Sequence, residues 1–160
     1  MSWCTCNASQ WGNTDKIIEN WLKERQELFI LFYRLLKVHP FDEEYLESDV
    51  EILQDFCQIL IGYVSAGHFE IFEKIAEANE YTNNGGLNRD LLVNILKTTI
   101  TAMDFSNKYE NSLDYTELKQ DLSKLGEALA KRMDLEDALI QSYLEATTEL
   151  ELATAIRKTG

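Results

Sequence analysis

A single proline, Pro40, stands among 160 residues that include only seven glycines. Proline ends or kinks helices, and both residue types punctuate turns, so their scarcity favours long uninterrupted helices over strands joined by turns. Apolar residues recur every three or four positions along most of the chain, and no stretch alternates polar and apolar residues for long enough to indicate a strand. The sequence therefore predicts an all-α fold.

Helix-capping residues and apolar spacing together predict four principal helices. Ser48 and Glu51 fit a capping box, in which each side chain accepts a backbone N–H of the first turn. The residue before Pro40 is pushed away from helical dihedrals, so the first helix is expected to end before it. A Ser-Ala-Gly break at residues 65–67 divides the second helix. The predicted helices run from N-cap candidates at 13–15 to 37, over 48–66, over 68–80 as a third helix beyond the break, over 89–105 and over 116–149, with the residues after 149 also helical and frayed at 158–160.

The last predicted helix has the spacing of a bundle seam. Its seam residues advance by four, three, four and four positions: Leu118, Leu122, Leu125, Leu129 and Met133. A chain of this length is most simply one domain. We therefore expect residues 1–160 to form an antiparallel bundle of four principal helices, one of them broken near Gly67, with an N-terminal arm over 1–13.

The first helix carries more apolar residues than one stripe can hold. Ile30, Leu31 and Tyr33 lie outside the main stripe. A helix that is apolar on most sides is either central in a bundle or has a partner on its second face. Both interpretations remain open from the sequence.

Two further surface assignments follow from spacing. In the helix over 89–105 the expected inward residues are Leu91, Leu92, Ile95, Leu96, Thr99 and Met103. Glu136 and Asp137 are expected on a solvated face, although they lie close enough to the seam to form a groove wall.

The excess of acidic over basic residues limits the classes of molecule that this chain is expected to bind. The chain has 15 Lys and Arg against 28 Asp and Glu, a formal net charge of −13. Phosphate binding needs clustered basic residues, so neither nucleic acid nor an anionic membrane surface is expected as a direct partner. A basic protein surface would be attracted and steered by such a field. The acidity could also serve solubility alone.

Few residues of this chain indicate a metal site, a disulfide bond or a catalytic site. The three cysteines, Cys4, Cys6 and Cys57, are an odd number, and the first ten residues lack signal-peptide character, so a reducing cytoplasm is expected. No histidine follows a Glu-x-x spacing, so the di-iron bundle motif is absent, and no metal or cofactor is predicted. Ser65 and His68 are three apart, but nothing indicates an oxyanion hole beside them, so no enzyme is predicted.

Binding of another protein is the remaining possible function, and the segment from Asp55 to Lys74 is the candidate binding surface. Helical apolar spacing continues on both sides of the Ser-Ala-Gly break, and a histidine and two phenylalanines follow at once. A hydrophobic helix face beside a small-residue notch suits a basic amphipathic helix laid into a groove. The same small residues could instead permit close helix packing alone.

This segment resembles a known family. Residues 55–58 (DFCQ) followed by 63–70 (YVSAGHFE) are similar to the signature of the Rsd/AlgQ anti-sigma factors, and residues 11–12, 21–25 and 125–129 extend the similarity over nearly the whole chain. The resemblance implies a cytoplasmic all-helical protein that binds the C-terminal, promoter-reading domain of the primary sigma factor. It would thereby keep sigma from core RNA polymerase and promoter DNA by stoichiometric 1:1 occupancy.

The resemblance and the spacing together predict a partner-binding site on the first three helices. It comprises two apolar anchors (Phe69, Phe72), two polar contacts (Ser65, His68), a facing wall (Trp21, Leu22, Arg25) and acidic groups (Asp55, Glu73).

One position departs from the family pattern. The family commonly has an acidic residue immediately before the tyrosine of the motif, where this chain has Gly62. Asp55, Glu70 and Glu73 are candidates to supply the missing charge. The departure leaves open an alternative, namely an adaptor that binds another regulatory protein through the same groove.

Overall fold

The structure, a computed structural model, describes residues 12–37, 47–72, 74, 75 and 85–159. In this part of the chain there are four α-helices and no strand: α1 (Gly12–Lys37), α2 (Glu47–Ala66), α3 (Gly85–Tyr109) and α4 (Leu118–Thr159). A π-helical turn, Gly67–Phe72, follows α2 directly. The predicted all-α bundle of four principal helices is confirmed, and the predicted arm over 1–13 lies almost wholly outside the described residues.

Each helix runs antiparallel to its neighbours around a common apolar core. α2 packs between α1 and α3, and α3 packs against α4. The Phe56 ring joins the first two interfaces, with centroids 6.0 Å from that of Phe32 on α1 and 5.9 Å from that of Phe105 on α3. α1 meets α4 at Gly126, where an added Cβ would lie 2.9 Å from the Phe32 ring. That glycine lets α1 close the bundle against α4.

Several helix boundaries differ from the sequence prediction. Residues 67–72 do not begin a new α-helix, because they continue α2 as a π-helical turn, and residues 73 and 76–80 of the predicted third helix lie outside the described residues. α3 spans Gly85–Tyr109 rather than 89–105. α4 continues past residue 149, as expected from the sequence, and runs to Thr159, because its last turns contain good helix formers and neither glycine nor proline.

The prediction for the inward face of α3 was partly wrong. Ile95 is buried, but Leu96 and Met103 are 49% and 45% exposed. Thr99 is buried, as predicted, and together with Thr98 it faces the core, where both meet a buried arginine of α4. Four apolar residues of this helix face outward, and we call them the α3 stripe: Val93, Leu96, Ile100 and Met103.

The structure distinguishes the two interpretations of α1. Ile30 and Tyr33 are 56% and 60% exposed, so among the described residues no other helix covers this face of α1. Its second apolar face is open, which favours a partner on that face. Within the described residues, none of the helices is long and apolar enough to cross a membrane.

Candidate functional site

The break after α2 lies over an aromatic cluster. The indole Nε1–H of Trp21 donates a hydrogen bond of 3.2 Å to the backbone oxygen of Tyr63, and the two rings stack with centroids 5.1 Å apart. The edge of Phe72 meets Trp21 with centroids 6.0 Å apart. Trp21 is 2% and Phe72 4% exposed. In this conformation neither side chain is exposed to a partner, although the sequence predicted partner contacts for both. The two rings instead pack beneath the π-helical turn.

A buried charged pair lies beneath the same turn. Arg132 and Glu136 are one helical turn apart on α4, each fully buried, with 3.0 Å between Arg132 Nε and Glu136 Oε2. Arg132 Nη1 also donates to Thr99 Oγ1 at 2.6 Å, and the Tyr63 hydroxyl donates to the other oxygen of Glu136. The prediction that Glu136 faces solvent was therefore wrong, because a buried guanidinium one turn earlier on α4 and a tyrosine on α2 require it as acceptor.

Titration behaviour in this cluster follows from burial. Burial raises the pKa of Glu136, against the opposing effects of Arg132, the Tyr63 hydrogen bond and Arg25. Burial and the Glu136 carboxylate raise the pKa of Tyr63 well above its ordinary value, so that its hydroxyl stays protonated and remains a donor. The cluster is thus a structural network that holds α1, α2, α3 and α4 at one level of the bundle.

Gly67 is required by packing at this junction. A Cβ at residue 67 would lie 3.2 Å from the Phe72 ring, 3.3 Å from Arg132 Nη2 and 3.3 Å from the Trp21 ring. Such contacts are tighter than ordinary van der Waals distances. The small residue in the break therefore serves close packing, one of the two roles that the sequence left open, and this does not exclude a groove nearby.

Arg25 is directed towards α4. Its Nη1 lies 2.9 Å from Asp137 Oδ1 and 3.7 Å from Glu136 Oε1, and its side chain is 18% exposed. Leu22, a turn earlier, is half-buried against the core. The wall predicted from residues 21, 22 and 25 thus belongs to the interior and to the α1–α4 edge more than to an open surface.

An open groove does exist between α1 and α2, on the outer face. It has a volume of about 380 Å³, and we call it the α1/α2 groove; its lining residues are Glu27, Ile30, Leu31, Asp55, Gln58 and Ile59. Both charged residues in the lining are acidic. Of the lining, only Asp55 was among the predicted contacts. The signal for the α1 wall was the excess of apolar residues in the first helix.

The α2 side of the groove continues towards the break. Asp55, Ile59, Gly62 and Ala66 are spaced by four, three and four residues, so they share one face of α2. Gly62 is exposed, and a Cβ added there would meet nothing within 4 Å. The position therefore has room for an acidic side chain, which the sequence resemblance leads us to expect there.

The remaining predicted contacts are only partly described. Ser65 is half-buried near the end of α2. The backbone of His68 and Phe69 belongs to the π-helical turn, but their side chains lie outside the described part, as does Glu73 altogether. Among the described residues no group of three or more histidine, cysteine or acidic side chains is placed to hold a metal.

Comparison with known proteins identifies the family. Residues 1–144 match the family model described as Regulator of RNA polymerase sigma(70) subunit, Rsd/AlgQ. The Regulator of sigma D of Enterobacter sp. (strain 638) is 37% identical over 138 residues, covering 84% of this chain and 84% of that protein. The protein of the same name from Escherichia coli O1:K1 / APEC is 37% identical over 139 residues, covering 83% and 87%. The chain belongs to the Rsd/AlgQ family of regulators of the RNA polymerase sigma(70) subunit.

Proposed function

We propose that this chain is an anti-sigma factor that binds the C-terminal domain of the primary sigma factor in a 1:1 complex and withholds it from core RNA polymerase and promoter DNA. Membership of the Rsd/AlgQ family supports this class of partner. The observation that carries the proposed site is the α1/α2 groove, where an isoleucine that is 56% exposed lies in a lining whose charges are both acidic.

The groove suits a basic helix on physical grounds. A helix that reads DNA carries Lys and Arg for phosphate contacts, so carboxylates compete with DNA for the same side chains. Ile30, Leu31 and Ile59 provide apolar surface for anchors, while Glu27 and Asp55 provide the charge that steers association. Occupancy of the groove is sufficient for inhibition, so no catalytic step is needed.

The length of the surface also suits one recognition helix. The face from Asp55 to Ala66 includes twelve residues of α2, and its eleven steps cover about 16 Å at about 1.5 Å per residue. That length corresponds to three helical turns. Ser65, His68, Phe69 and Glu73 would extend this surface past the end of α2, and their contribution is a proposal from the sequence.

Isothermal titration calorimetry tests the proposal. The purified chain is titrated with the C-terminal domain of the primary sigma factor, first at low and then at high salt. We expect saturable 1:1 binding that weakens as salt rises, because acidic and basic surfaces are screened. Heat of dilution alone at low salt would refute it.

Phe69 provides a variant test of the extended surface. Phe69→Ala should weaken binding while leaving helicity and the melting temperature nearly unchanged. Phe72→Ala is the contrasting variant, since Phe72 is buried and its truncation should lower stability by about 3 kcal/mol or more. Unchanged binding by Phe69→Ala would remove that residue from the site.

An adaptor for another basic regulatory protein is the second candidate. Gly62 favours it, because the chain lacks the carboxylate that the family commonly has at this position. Affinity purification of the full chain from its own cells separates the two functions. Co-purification of sigma supports the first; another basic protein in place of sigma, lost with Asp55→Lys, supports the second.

A further inference from the structure

The two acidic residues of the α1/α2 groove lie on opposite walls. Glu27 belongs to α1 and Asp55 to α2, and both are exposed. Between them the lining contains three apolar residues, Ile30, Leu31 and Ile59. A basic helix in the groove therefore meets one carboxylate on each flank and an apolar floor in the middle.

The two carboxylates are also offset along the groove. Trp21 of α1 is hydrogen-bonded to the backbone of Tyr63 on α2, and the Phe32 ring of α1 packs on the Phe56 ring of α2. Interpolation between these contacts places the acidic residue of α1 level with residue 59, four residues beyond the acidic residue of α2, or about 6 Å at about 1.5 Å per residue. Side chains lean towards the N terminus of their own helix, so in this antiparallel pair the carboxylates lean apart and the offset increases further.

The handedness of α2 decides on which side α1 lies. Phe56 and Tyr63, which contact α1, follow Asp55 by about 100° and about 80° around the helix. Because an α-helix is right-handed, α1 lies to the right of α2 when the groove is viewed from outside with the C terminus of α2 at the top. In this view Asp55 is at the lower left of the groove and Glu27 at the upper right.

We propose that the α1/α2 groove selects partner helices in which two basic residues are six positions apart, with an apolar residue midway between them. This inference rests on the proposed function, because it takes a basic helix as the occupant. In a helix lying along the groove, the position three residues after a left-flank residue is rotated by about 300° and points to the groove floor. The position six residues after it is rotated by about 240° and reaches the right flank about 9 Å higher, so that one base faces Asp55 and the other faces Glu27.

Neighbouring spacings do not fit this diagonal. A spacing of five turns the second base to the solvent side of the partner helix, and a spacing of seven returns it to the left flank, above the first base. The direction of the partner helix does not alter the pattern, because turning a helix end over end exchanges left with right and bottom with top together. The spacing is therefore a property of the groove, set by the positions of Glu27 and Asp55.

Three helical peptides of identical composition test the spacing. Each has an alanine-based host of about 18 residues, with one Arg, a Leu three positions later and a second Arg five, six or seven positions after the first; circular dichroism checks that their helicity is equal. Fluorescence anisotropy with the full chain at low salt measures the dissociation constants. We expect the peptide with a spacing of six to bind about three- to fivefold tighter than either isomer, the effect of about one exposed ion pair.

A variant of the groove wall tests the cause of the preference. Glu27→Gln should abolish it, because the right wall then carries no charge. Asp104→Asn, beside the α3 stripe, is the matched control; it removes the same charge and should leave the preference unchanged. Equal binding of the three peptides, no measurable binding of any, tighter binding of the isomer with a spacing of five or seven, or a preference that survives Glu27→Gln would overturn the proposal.

Calorimetry with the C-terminal sigma domain on the same preparation separates this inference from the proposed function. Sigma binding together with equal peptide affinities overturns the spacing alone. A spacing preference without sigma binding supports the spacing and refutes sigma as the partner.

Discussion

Two exposed apolar surfaces of this bundle differ in the charges beside them. In the α1/α2 groove, Ile30 lies with two acidic lining residues, Glu27 and Asp55. On the α3 stripe, Ile100 is 62% exposed, and the exposed flank carries Lys97 and Asp104, one residue of each sign. Apolar exposure is similar on the two surfaces, since Ile30 is 56% exposed.

The difference shows which surface a basic partner would select. Apolar contact gives affinity to any partner of suitable shape, whereas charge complementarity gives direction and discriminates between partners. A DNA-reading helix would be attracted to the groove and would gain little at the α3 stripe. The α3 stripe therefore serves as an internal control for every test of the groove.

The largest effect, on the stability of the fold, is expected when the buried Arg132–Glu136 pair is broken. Glu136→Gln leaves Arg132 fully buried without its charged partner, which should lower the free energy of unfolding by about 3 kcal/mol. Asp137→Asn is the control, because Asp137 is 33% exposed, and about 1 kcal/mol or less is expected. Urea denaturation measures both. Equal losses in the two variants would mean that Glu136 is not the carboxylate on which the junction depends.

The next effect separates the two surfaces directly. Ile30→Glu places a carboxylate in the apolar part of the groove and should weaken binding of the sigma domain by more than about tenfold. Ile100→Glu makes the same change on the α3 stripe and should leave the affinity within about twofold. Calorimetry with the sigma domain gives both numbers. An equal loss from both variants would remove the distinction between the surfaces.

A smaller effect is expected from charge alone. Asp55→Lys should weaken sigma binding by about fivefold at low salt and by less at high salt, because an exposed charge is screened. Asp104→Lys is the matched reversal beside the α3 stripe and changes the net charge by the same amount. If both reversals weaken binding equally, the net charge of the chain acts and the groove does not.

The smallest effect concerns the position where this chain departs from its family. Gly62→Glu should strengthen sigma binding about two- to fivefold, because the site is open and lies on the same face as Asp55. Gly62→Ala should stabilise the helix by about 0.5–1 kcal/mol without changing the affinity. Tighter binding by both variants would show that helix stiffness, rather than the added carboxylate, is responsible.

The sequence was sufficient for the fold class and the family. Apolar spacing and capping residues predicted the four helices, because tertiary packing in a bundle follows the same period that the sequence displays. The second face of α1 was also visible as an excess of apolar residues. Spacing could not decide that this face is open, since the position of α1 relative to its neighbours depends on contacts such as Phe32 with Gly126.

The buried network could not be predicted. Arg132 and Glu136 are spaced by four, which in a sequence is typical of a surface ion pair. Their burial depends on acceptors and donors from other helices, namely Thr99 and Tyr63, whose proximity only the fold creates. Spacing correctly placed Thr99 inward, but it could not show that Thr98 accompanies it towards the buried arginine while Leu96 and Met103 face outward.

Hydrogen exchange of the full chain with and without the sigma domain tests the central claim most directly. Backbone amides of α1 around 24–34 and of α2 around 51–66 should gain protection on binding, while those of α3 around 93–103 should exchange as in the free protein. Protection confined to α3, or no change in α1 and α2 when sigma is bound, would contradict the assignment of the α1/α2 groove as the sigma-binding surface.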